Sequence, residues 1–65
     1  MPKYPNVDVE LVGNDGNAFS IMARVGKELR RAGVSNEEIK QYQNEATSGD
    51  YDNLLQVTMR WVNVS

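Results

Sequence analysis

Residues 17–33, NAFSIMARVGKELRRAG, restrict what this chain can become more than any other stretch. Ala18, Met22, Val25, Leu29 and Ala32 recur at alternating spacings of four and three. That period stacks them on one side of a helix. Arg24, Lys27 and Arg31, with Ser20, fall on the opposite side. The stretch predicts an amphipathic helix whose apolar side needs a cover. It also carries its own stop. Arg30 and Arg31 stand at the negative end of the macrodipole. Gly33 suits the left-handed residue that closes a helix, and Val34 can then fold back on Leu29. Gly26 is the misfit, because a mid-helix glycine costs about 0.5–1 kcal/mol against alanine. Close approach of another element would explain it, and a ligand or partner contact is the alternative.

The cover must come from a short chain. With 65 residues, a protein buries only about 60% of the surface its unfolded form exposes. There is no cysteine and no histidine. A disulfide staple, a thiolate or imidazole metal site, histidine general-base chemistry and a histidine pH switch are therefore excluded. The expectation is no metal, no cofactor, no catalytic residue and no enzyme. The net charge of −2 argues against a general nucleic-acid binder, which is strongly basic. No run of 18 apolar residues exists to span a membrane. The opening MPKYPNVDVE lacks the apolar centre of a secretory leader, so a cytoplasmic location is expected.

Around the long helix the remaining elements follow in order. Pro2 and Pro5 place residues 1–6 in an extended lead-in. Val7 to Val12 alternate, with Val7, Val9 and Leu11 on one side and Asp8 and Glu10 on the other, as in a half-buried strand. Gly13-Asn14-Asp15-Gly16 is a turn, and Asn17 or Asn14 can cap the helix after it. Ser35-Asn36-Glu37-Glu38 is a capping box with Val34 and Ile39 as its staple. It opens a second helix to about Ala46, with Ile39, Tyr42 and Ala46 inward. Thr47-Ser48-Gly49 stops it. Asp50 then caps a third helix with Tyr51, Leu54, Leu55, Thr58 and Val62 on one side. The tail has two readings. One is a helix to about Trp61 followed by a strand, Val62 to Val64, pairing with Val7 to Val12. The other is a helix running nearly to the end. We take the first. The fold class is then α+β: one N-terminal strand, three helices and a short C-terminal strand, in a single small domain. Its core would be Val9, Leu11, Met22, Val25, Leu29, Ile39, Tyr42, Leu54, Leu55 and Val62.

Candidate chemistry is thin. The Gly13–Asn17 turn could cradle an anion at a helix start, but it lacks the P-loop and dinucleotide patterns, and Asp15 would repel the ligand. Asp50, Asp52 and Glu45 could hold a hard cation, yet capping accounts for Asp50 and Asp52. The first two helices resemble a helix-turn-helix in outline. Glu37, Glu38 and Glu45 on the second would repel DNA. Positive charge gathers instead on the long helix. Arg24, Lys27, Arg30 and Arg31 against Glu28 give residues 17–33 a net charge of +3. Phe19, Ile21, Met59 and Trp61 lie off the expected inner faces; packing against the strand is their expected use, and any left outside would anchor an interface. The candidate partner-binding residues are therefore Arg24, Lys27, Arg31 and Trp61. A sheet edge is a further candidate surface.

Taken as a set, GNDGNAF, RRAG, EATSGDYDNLL and the closing WVNV resemble small uncharacterised proteins of bacteriophages and prophages. The resemblance spans about residues 7–64. It implies a phage-encoded accessory protein of the bacterial cytoplasm that binds and modulates a host or phage protein, and it carries no catalytic residue. The expected function is thus a non-enzymatic binder of a protein partner, with homo-oligomerisation open. The alternative is a weak nucleic-acid-binding module using the basic side of the first helix.

Overall fold

The computed structural model describes residues 2–10 and 18–64. The elements are β1 (Tyr4–Val9), α1 (Ala18–Arg31), α2 (Asn36–Ala46), α3 (Tyr51–Trp61) and β2 (Val62–Val64). The two strands form a parallel pair, and the fold is α+β with three helices. Parallel strands need a long crossover, and here all three helices lie within it. The strand expected at 7–12 begins earlier, at Tyr4. Leu11, Val12 and the 13–17 turn lie outside the described residues. Pro5 is tolerated because the pairing is irregular there: Tyr4 faces Val62, and Asp8 then faces Asn63. A residue without an N–H needs such a break or an edge. The Asn63 amide donates to the Pro5 carbonyl, and the Lys3 N–H donates to the Arg60 carbonyl at 2.7 Å.

The cap that closes α1 and those that open α2 and α3 are formed as the sequence implies, while the Asn17 or Asn14 cap of α1 lies outside the described residues. Gly33 has φ +88°. The Val34 N–H reaches the Leu29 carbonyl at 3.0 Å and the Gly33 N–H reaches that of Arg30 at 3.1 Å, so the Schellman pair is complete. Ser35 Oγ accepts from the Glu38 N–H at 3.3 Å, and Asp50 Oδ1 accepts from the Asn53 N–H at 3.0 Å. Asn53 also donates at 3.0 Å to the Glu45 carbonyl near the end of α2, which accepts from the Ser48 N–H and hydroxyl as well. Gly49 leaves room for it, since a Cβ there would stand 2.9 Å from that of Asn53.

The core joins Val7, Val9, Ile21, Val25, Leu29, Ile39, Tyr42, Ala46, Leu54, Val57, Trp61 and Val62. Several expectations are corrected. Ile21 is buried, and Ala18 and Met22 are only partly so. α1 packs against both β1 and α2, so its buried arc is wider than one stripe. Ala32 lies past the helix end and is exposed. On α3 the buried set is Leu54, Val57, Thr58 and Trp61, the i, i+3, i+4 and i+7 positions of one helix side. Tyr51 is exposed and Leu55 only partly buried. Gly26 is buried beside Ile39, but a Cβ on it would meet Ile39 Cγ2 at 3.7 Å, an ordinary contact. The approach of α2 does not demand glycine.

Candidate functional site

Each candidate residue sits differently. Trp61 does not present its ring to solvent: it is 4% exposed. Its ring lies edge-on to Tyr42 at 5.7 Å and tilted against Tyr4 at 6.0 Å. Its indole N–H donates to Glu45 Oε1 at 3.1 Å, the partner that a buried indole requires. Lys3 Nζ covers the ring at 4.4 Å and pairs with Glu38 Oε1 at 2.9 Å. The sequence pattern missed this placement because Val57, Met59 and Trp61 alternate. The signal that could have found it is the helical set Leu54, Val57, Thr58 and Trp61.

The Lys3–Glu38 pair has electrostatic consequences. The ammonium of Lys3, and after it the Tyr4 hydroxyl, holds the Glu38 carboxyl below its ordinary range. The same carboxylate raises Lys3 and Tyr4 above theirs. Glu38 therefore spends its side chain on β1 as well as standing third in the capping box. Deeper in, the Tyr42 hydroxyl meets Thr58 Oγ1 at 2.7 Å. Burial pushes the Tyr42 phenol up, and the bond to Thr58 opposes this.

The basic side of α1 is divided. The Arg24 guanidinium donates to the Glu10 carbonyl at 3.0 Å. Arg31 pairs with Glu28 at 3.5 Å, and both line a depression with Asn6 and Asp8 of β1. Lys27 is exposed and has no ion-pair partner among the described residues. Arg30 shares that condition on the same helix.

Between α1 and α2 lies a groove of about 380 Å³ lined by Phe19, Met22, Ala23, Gln43, Asn44 and Thr47. A second hollow of about 230 Å³ continues from it past Met22 and Thr47 toward Tyr51 and Leu54. Phe19 at the rim is 79% exposed. Among the described residues no group of three or more acidic, histidine or cysteine side chains is placed to hold a metal ion. No helix there is long and apolar enough to cross a membrane. No family model matches the chain, and no curated protein or solved structure matches it significantly.

Proposed function

We propose that this chain is a non-enzymatic accessory protein of phage type that binds and modulates a protein partner in the bacterial cytoplasm. The observation that carries the reading is the outer side of α1. It turns Phe19 largely to solvent and holds Lys27 and Arg30 without a carboxylate partner among the described residues. A phenylalanine left outside forgoes about 1.5–3 kcal/mol of burial, and aromatic and arginine side chains, here Phe19 and Arg30, are enriched at interfaces. The nucleic-acid alternative has weaker support, because Arg24 and Arg31 are already engaged within the chain.

The test is affinity capture from nuclease-treated bacterial lysate, read by mass spectrometry, with wild type and the Phe19→Ser/Lys27→Glu double variant as baits. Thermal melting of both baits is measured alongside. A protein retained by wild type and depleted on an equally folded variant supports the reading. Recovery of nucleic acid alone before nuclease, or of no specific protein, refutes it.

A further inference from the structure

Resting on the protein-binding reading above, the charge around the α1–α2 groove narrows the class of partner. Of the seven cationic side chains, Lys3, Arg24 and Arg31 are engaged within the chain. Lys27, Arg30, Lys40 and Arg60 have no ion-pair partner among the described residues. Three of those four converge on one seam. Lys27 is one turn beyond Ala23 on α1, and Arg30 two turns beyond it. Lys40 is one turn before Gln43 on α2 and two before Thr47. Residues three, four and seven apart share a helix side, and Ala23, Gln43 and Thr47 line the groove. The two helices run antiparallel about it, since Gly26 faces Ile39 and Met22 faces Thr47.

The carboxylates of these helices are mostly spent elsewhere. Glu28 is held by Arg31, Glu38 by Lys3, and Glu45 by the indole of Trp61. Glu37 is one turn before Lys40 and two before Asn44 of the groove, so it shares the seam with Lys27, Arg30 and Lys40 and leaves that end with three cations against one carboxylate. At the other end of the seam the continuing hollow is bordered by Asp50. The surface is thus a trough, apolar on its α1 side at Phe19, Met22 and Ala23 and polar on its α2 side at Gln43, Asn44 and Thr47, with an excess of cations at the α1–α2 turn end and a carboxylate at the far end. This is an uneven surface for a chain whose net charge is −2.

We propose that this seam docks an acidic amphipathic helix of a partner protein, its apolar side chains entering between Met22 and Thr47 and its carboxylates lying on Lys27, Arg30 and Lys40. An amphipathic helix laid in a groove reads out as apolar anchors at helical spacing. Complementary charge then fixes its orientation and its salt dependence.

The test uses isotope-labelled full-length protein and three synthetic helical peptides of about five turns. All carry leucine at every third or fourth position. The intervening positions are glutamate in the first, lysine in the second and serine in the third. The acidic peptide is expected to bind saturably and to shift the amides of Ala23, Gln43, Asn44 and Thr47. Its affinity should fall at least about tenfold in Lys27→Glu/Arg30→Glu/Lys40→Glu, and should weaken with added salt. Circular dichroism of that variant guards against misfolding, and the singly reversed Lys27→Glu is the fallback. The proposal is overturned if the acidic peptide fails to bind or binds no better than the lysine peptide. Shifts confined to the sheet edge overturn it too, as does occupation of the seam by a second copy of the chain, seen as concentration-dependent shifts without peptide. A protein captured from lysate while all three peptides fail would leave the protein-binding reading standing and remove this assignment of its partner.

Discussion

The contact between Tyr42 and Thr58 gives the sharpest test of how this small core is held. Thr58 is the buried polar side chain of the described core, at 0% exposure, and Tyr42 is equally enclosed. Their hydroxyls are 2.7 Å apart. Removing one partner strands the other, which costs about 1–3 kcal/mol. Tyr42→Phe should fall near the low end, about 1 kcal/mol, because a helical threonine can turn its hydroxyl onto the carbonyl four residues back. Thr58→Val leaves the phenol without its partner and should cost about 2 kcal/mol. The double variant replaces both polar groups with apolar ones of similar shape. Its cost should fall below the sum of the singles by about 1–2 kcal/mol. For a domain of this size each kcal/mol moves Tm by about 4–8 °C. Urea unfolding followed by Trp61 fluorescence provides the assay, since the indole lies 5.7 Å from the Tyr42 ring. Strictly additive costs would show that the two hydroxyls do not sustain one another and would refute the pairing.

Three further outcomes follow from local geometry. Gly26→Ala should stabilise by about 0.5–1 kcal/mol, because the helix gains propensity and Ile39 leaves room for the methyl; Gly33→Ala should instead cost about 1 kcal/mol through its left-handed backbone, and denaturation midpoints of the same sign for both would refute the assignment. Asp50→Ala should cost about 1 kcal/mol and Asp50→Asn much less, since either side-chain oxygen can accept at the start of α3; equal midpoints for the two variants would refute the cap. Glu38 has a depressed carboxyl pKa in the folded protein, so its contribution is present above the ordinary carboxylate range, near pH 4.3, and is lost as pH falls through the lower folded value. Wild type should therefore lose stability on acidification more steeply than Glu38→Gln, and parallel urea midpoints between pH 7 and pH 3 would count against the pair with Lys3.

Much of this fold was legible because its signals are local. The Gly33 stop, the Ser35 and Asp50 caps and the change from helix to strand after Trp61 depend on neighbours within a few residues. The start of β1 was not legible, because Pro5 counts against a strand until the irregular pairing with β2 is known. Ile21 and Trp61 were misplaced for a related reason. A helix pressed from two directions buries a broader arc than a single stripe suggests, and an alternating run can hide a helical one. The candidate site was legible in part. The cations of α1 stand out in the sequence, but which of them β1 and Glu28 would occupy depends on contacts across the fold. Lys40 gains interest only once α2 is laid against Ala23 and Met22.

The pairing of β1 with β2 has a kinetic consequence. Asn63 and Pro5 meet across 58 positions of chain, whereas α2 and α3 are near neighbours in sequence. Closing so long a loop adds an entropic barrier that grows only as the logarithm of its length, yet it must be crossed before any reward arrives. The pairing of β1 with β2 therefore carries a larger loop-closure cost than the packing of α2 on α3. β1 also carries Val7 and Val9 of the core, so its release would open that core and lift Lys3 and Tyr4 from the indole ring of Trp61.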